Sequence, residues 1–198
     1  MTIPDSFHIC WACSSSAILY MLCAKIYSGW AMQKYDKIYT KTRDFFGHTS
    51  KQFTTLFSNL DFESGTILDL GAGQGRDALF LAKRGYNVIA LDSSKVGLDQ
   101  LQERVDAEHL PIEVVHGDAL GYTPPKDLDA IIADQFFHEL ANNTRVKLLQ
   151  RMMGYLRPGG YLLLADGKSV LPNLRDAIKK EKFEVLRDKN GIYFTYKP

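Results

Sequence analysis

Asp69-Leu70-Gly71-Ala72-Gly73-Gln74-Gly75 sets three glycines at alternate positions, two residues beyond an acid. Glycines let a backbone approach a ligand closely, and a helix starting just past such a loop offers free N–H groups and a partial positive charge, so the run suits a nucleotide-like molecule. A glycine turn after a strand is also a common device with no ligand at all. Two further acids make the pattern more specific. Asp92, followed by Ser93, ends the next apolar run and can accept hydrogen bonds from both ribose hydroxyls. Asp118, followed by Ala119 in His116-Gly117-Asp118-Ala119, comes after a third such run and can accept from an adenine amino group. Each acid alone could equally cap a helix or form a turn. The dinucleotide pattern G-x-G-x-x-G is not met, because its third glycine would fall at Arg76.

A second group follows the run Leu128-Asp129-Ala130-Ile131-Ile132-Ala133, in Asp134-Gln135-Phe136-Phe137-His138-Glu139. His138 is the candidate catalytic residue, since imidazole exchanges a proton near neutral pH; it could also simply support the turn after the strand. The other histidines (His8, His48, His109, His116) have no partners at ligand spacing. Asp134 and Asp166 each follow an apolar run, but hard cations need several oxygen ligands and only these two are evident, so no metal site is expected.

These residues need elements to position them, and the chain supplies strands and helices in turn. Strands are expected at Gly65–Leu70, Tyr86–Leu91, Ile112–Val115, Leu128–Ala133 and Tyr161–Ala165. Helices are expected at Asp77–Arg84, Val96–Ala107 and Thr144–Leu156, the last stopped by Pro158-Gly159-Gly160, with another near Asn173–Glu181. Such alternation implies parallel strands joined by helical crossovers in a three-layer α/β domain. The end departs from it: Phe183–Arg187 and Ile192–Tyr196 flank an Asn190-Gly191 pair, a hairpin signal, so the last two strands should be antiparallel.

The G-x-G-x-G spacing, the acid before it and the terminal hairpin resemble the class I S-adenosylmethionine (SAM)-dependent methyltransferases. Leu128–Leu140 resembles that family's fourth-strand motif, and Leu156-Arg157-Pro158-Gly159-Gly160-Tyr161 its passage into the fifth strand. The resemblance covers about Thr66 to Pro198. It implies a Rossmann-like methyltransferase fold with a mostly parallel seven-stranded sheet, and SAM as cofactor. It also implies that Asp69, Gly71, Ala72, Gly73 and Gly75 cradle the methionine part, Asp92 and Ser93 the ribose, and Asp118 and Ala119 the adenine, with Asp134 beside the donor methyl. Within the family, Leu68–Asp77 followed by Gly85-Tyr86-Asn87-Val88 looks most like small tellurite-resistance-type methyltransferases, although the segment after the fifth strand, residues 166 to 182, is shorter here.

The expected activity is methyl transfer to a small-molecule acceptor. The fourth-strand end lacks the Asn/Asp-Pro-Pro-aromatic sequence of enzymes that methylate base or amide nitrogens. A metal-assisted O-methyltransferase, a non-catalytic SAM-binding protein and, more distantly, a nicotinamide dehydrogenase are the rival readings.

The chain has 198 residues, 45% hydrophobic and 24% charged, with a net charge of +1. That is one domain's worth of core and no basic field for a phosphate backbone, so nucleic acid is not expected as a partner. Residues 1–31 differ in composition, with Asp5 and Lys25 as their only formal charges and all three cysteines, Cys10, Cys13 and Cys23. Cys10-Trp11-Ala12-Cys13 lacks the strand and helix that a redox C-x-x-C requires. Ser6–Ala24 carries no formal charge but includes His8 and four serines, marginal for a span, and its flanking charges do not suit a secretory signal. Three segments are therefore expected: residues 1–31 as an N-terminal extension, with membrane contact through residues 6–24 the minor alternative; residues 32–64 as a helical cap; and residues 65–198 as the SAM-binding domain, in a cytoplasmic protein. Nothing in the composition sets an oligomeric state. Within the cap, Tyr35, Tyr39 and Phe46 are placed to cover a ligand, whereas Phe53 and Phe57, four apart, are spaced to pack a helix on the sheet.

Overall fold

The computed structural model describes residues 34–58 and 64–198. The N-terminal extension, the possible membrane contact at residues 6–24 and the cysteine pair lie outside the described residues. Helix α1 covers residues 34–41, and α2 spans Lys51–Ser58. Next come β1 (Thr66–Leu70), α3 (Arg76–Ala82), β2 (Asn87–Asp92), α4 (Lys95–Glu108), β3 (Ile112–His116), β4 (Leu128–Asp134), α5 (Asn142–Met153), β5 (Leu156–Ala165), α6 (Leu171–Lys180), β6 (Glu184–Lys189) and β7 (Ile192–Tyr196).

The seven strands form one sheet in the order β3-β2-β1-β4-β5-β7-β6. The first five run parallel, and β7 pairs antiparallel with both β5 and β6. This is the expected mostly parallel, seven-stranded α/β sheet with an antiparallel terminal hairpin. Asn190 and Gly191 both adopt positive φ, 55° and 77°, as a two-residue hairpin turn of matching twist requires.

Successive strand residues feed opposite faces, which is why the strands read as unbroken apolar runs. Ile67, Val88, Ala90 and Ile132 pack under α2, α3 and α4. Leu68, Leu70, Ile89 and Ile131 pack under α5 and α6. Phe53 and Phe57 of α2 are buried and stacked at 4.7 Å between ring centroids, with Phe80 and Tyr86 against them.

The fifth strand corrects one expected boundary. Helix α5 ends at Met153, and Leu156 pairs with Leu128 as the start of β5. Pro158-Gly159-Gly160 lies inside the strand as a bulge, with Gly159 at φ 80°, because the C-terminal segment pairs with it: Gly159 N–H donates to Lys197 O and Lys197 N–H to Gly160 O, each at 2.8 Å. The missing donor of Pro158 falls where the β4–β5 register shifts, so no ladder bond is lost. No helix among the described residues is long and apolar enough to cross a membrane.

Candidate active site

Strand order reverses direction between β1 and β4, and at such a switch point the chain leaves opposite faces of the sheet and opens a crevice at the strand carboxyl ends. A cleft, partly open to solvent, lies there. Asp69, Gly71, Ala72, Gly73, Asp92, Ser93, Asp118, Ala119 and Asp134 all line it. Gly75 does not: it precedes α3 and faces Leu101, one helix away.

The glycine loop is fastened to the second strand. Gly71 and Ala72 N–H both donate to Leu91 O, and Gly73 N–H donates to Asp92 Oδ2 at 2.8 Å. Gly73 has φ of +54°, and a Cβ there would stand 2.6 Å from the Tyr39 hydroxyl, so side chain and loop approach as closely as they do only because this residue has none. Asp92 Oδ1 accepts from Ser94 N–H at 2.7 Å, so the carboxylate joins loop to helix α4 while facing the cleft. Burial pushes its pKa up, against the pull of these N–H groups.

Asp69 is 3% exposed, and its Oδ2 meets no hydrogen-bond partner. Burial, reinforced by the neighbouring carboxylate of Asp77, pushes its pKa well above the usual carboxylate range. Beside it, Arg76 Nη2 donates to Asp77 Oδ2 at 2.6 Å and to Asp134 Oδ2 at 2.5 Å. Asp134 is raised to about 6, chiefly by burial, although Arg76 opposes the shift. Asp118 Oδ1 accepts from Leu120 N–H and closes the turn after β3.

The opposite wall is the segment before α2, contributing Tyr35, Tyr39, Asp44, Phe46 and Gly47. The rings of Tyr35 and Tyr39 lie 5.8 Å apart, and those of Tyr35 and Phe46 6.4 Å apart. The three aromatics expected over a ligand are thus on the cleft, and Phe53 and Phe57 are in the core.

His138 lies behind the cleft rather than on its wall. Its Nε2 is 3.0 Å from Glu139 Oε1, and its Nδ1 is 3.4 Å from Asp166 Oδ1. Those acids, Asp166 first, raise its pKa. Glu139 itself lines the cleft. Sequence reasoning passed over Glu139 and also Arg76, which it had noted only as the place of an absent glycine. The signal for Glu139 was an acid adjoining His138; for Arg76 there was none, since its partner Asp134 is distant in sequence. Among the described residues no group of three or more potential metal ligands stands together.

A protein family described as a methyltransferase domain matches residues 67–160. An uncharacterized methyltransferase of Alkaliphilus oremlandii is 24% identical over 183 residues, covering 87% of this chain and 82% of its own. The probable S-adenosyl-L-methionine-dependent methyltransferase TehB of Haemophilus influenzae is 28% identical over 138 residues, 66% of this chain and 47% of its own. Among solved structures, the Burkholderia thailandensis 1,6-didemethyltoxoflavin-N1-methyltransferase, crystallised with S-adenosylhomocysteine, superposes with a TM-score of 0.71 at 15% identity, over 88% of this chain and 90% of its own. The chain spans less than half the length of several curated relatives that it matches, TehB among them.

Proposed function

Because the chain belongs to the class I SAM-dependent methyltransferases, we propose that it transfers a methyl group from SAM to a small-molecule acceptor. The observation that carries this reading is the arrival of Asp69, Asp92 and Asp118, from the ends of three neighbouring strands, on one cleft with the glycine loop. The residues present fit the cofactor: a buried, unpartnered Asp69 oxygen stands at the cleft where the methionine end would lie, beside a glycine loop that lines the same space. Asp92 and Ser93 would hold the ribose, and Asp118 and Ala119 the adenine.

Bound SAM supplies an electrophilic methyl on a sulfonium, so the transfer is an in-line displacement that needs orientation more than covalent help. The chain's own residues provide that orientation. Arg76 holds Asp134 at the end of β4, where it faces the cleft. Tyr35, Tyr39 and Phe46 line the opposite side. Glu139, held ionised by Lys34, and the acids lining the cleft favour a cationic sulfonium. A small acceptor is supported by the structural neighbour named for 1,6-didemethyltoxoflavin, and by a net charge of +1 that offers nothing to a nucleic acid. His138, set behind Glu139, is a positioning residue in this reading.

Calorimetric titration with S-adenosylhomocysteine tests the assignment. Wild type is expected to bind, and Asp92→Ala to lose roughly two orders of magnitude, since charge-assisted bonds to ligand and loop vanish together. No binding to folded wild type would end the methyltransferase reading.

A further inference from the structure

The acceptor's charge is written in the corner of the cleft where Glu139 meets Tyr35. Glu139 lines the cleft, and two donors converge on a single oxygen, Lys34 Nζ and Tyr35 Oη each 3.1 Å from Oε1, with His138 Nε2 standing 3.0 Å from the same atom. Two donors on one oxygen hold the carboxylate in place on the cleft wall. Although burial pushes its pKa up, Lys34 and His138 outweigh that and hold Glu139 ionised.

The corner is built for a cation. Lys34 Nζ already stands 4.9 Å from the centre of the Tyr35 ring while it touches Glu139, so an ammonium at the rim uses carboxylate and ring face together. Anions meet the opposite conditions. Arg76 is the one cationic side chain that lines the cleft among the described residues, and Asp77 and Asp134 engage it. Asp44, Asp69, Asp92 and Asp118 surround the same space. An acceptor carboxylate or phosphate would enter a cleft lined by these carboxylates and a single cation, Arg76, whereas Lys34 shows a cation seated on Glu139.

Resting on the methyltransferase reading, we propose that the acceptor carries a basic nitrogen and that Glu139, beside the ring of Tyr35, binds it as an ammonium ion. Glu139 is then the residue that sets acceptor specificity. Were it only a strut for α1, its loss would loosen α1 without changing which charge the cleft accepts.

The test uses the full chain saturated with S-adenosylhomocysteine and two probes of similar skeleton, phenethylamine and hydrocinnamate, titrated by calorimetry or ligand-observed NMR. Wild type is expected to bind phenethylamine roughly tenfold or more tightly than hydrocinnamate, and Glu139→Gln to lose that preference while still binding S-adenosylhomocysteine. Equal binding of the probes, a preference for hydrocinnamate, binding of neither, or a preference that survives in Glu139→Gln overturns the proposal and leaves the methyltransferase reading standing. If Glu139→Gln fails to bind S-adenosylhomocysteine, the wild-type preference alone decides. Failure of wild type to bind S-adenosylhomocysteine removes the premise itself and overturns both.

Discussion

Gly71, on one wall of the cleft, hangs by its backbone N–H from Leu91 O in the adjacent strand, whereas Tyr35, on the other wall, hangs by its hydroxyl from Glu139. The contrast holds along both walls. On the strand side the loop continues a parallel ladder above an apolar core. Residues 34–49 are tied through side chains instead. Asp36 accepts from Ser94 Oγ and Val96 N–H, Gln100 donates to Tyr39 O, and Thr49 donates to Arg76 O. Gln74 serves both partners, donating to Thr42 O and accepting from Phe45 N–H. Tyr39 is the sole buried hydrophobic residue of this stretch; Phe45 and Phe46 are exposed. Apolar attachment begins only at α2, with Phe53 and Phe57. The site thus joins a rigid half to a half that a few polar contacts hold shut, an arrangement suited to admitting and then enclosing a ligand.

Substitutions at the two kinds of attachment separate them. Phe53→Ala empties a fully buried position, so a loss of about 3–5 kcal/mol is expected in urea unfolding. A loss near zero would mean that α2 is no better anchored than the stretch before it. Gln74→Ala is expected to cost only about 1–2 kcal/mol globally, yet to speed proteolysis within residues 42–49. S-adenosylhomocysteine should slow that cutting in wild type, and equal cutting with and without it would break the picture of a closing wall.

A smaller effect belongs to the strand side. The Asp134 pKa in the folded protein, about 6, lies above its ordinary value of 3.8, so its share of stability is complete below the ordinary value and is lost as pH rises through the folded one. The Tm of the ligand-free protein is therefore expected to fall between about pH 5 and pH 7 through this group, with a shallower fall in Asp134→Asn. Identical slopes would remove Asp134 as the source. The smallest change is expected from Arg43→Ala, which breaks an exposed pair with Glu103 and should cost less than about 0.5 kcal/mol, vanishing in high salt.

Much of the strand side was legible in the sequence because its cleft-lining acids stand at or just past the ends of apolar runs, so locating the runs locates Asp69, Asp92 and Asp118. The Pro158-Gly159-Gly160 stretch misled because local propensity says stop, while pairing with Lys197 keeps the chain in the sheet. The cap was legible only as a set of aromatics. Its attachments depend on which distant polar group lies opposite, and no periodicity encodes that.

By itself, then, the sequence determined the order of strands and helices, the terminal hairpin and the acids at the strand ends, since burial on both sheet faces and the turn chemistry of glycine leave a local imprint. Tertiary structure decided that Arg76 joins Asp77 and Asp134, that His138 stands behind Glu139, and that Tyr35 reaches Glu139 across the cleft. A side-chain contact between remote segments costs the same residue types whether it forms or not, and only the folded sheet brings its partners within reach.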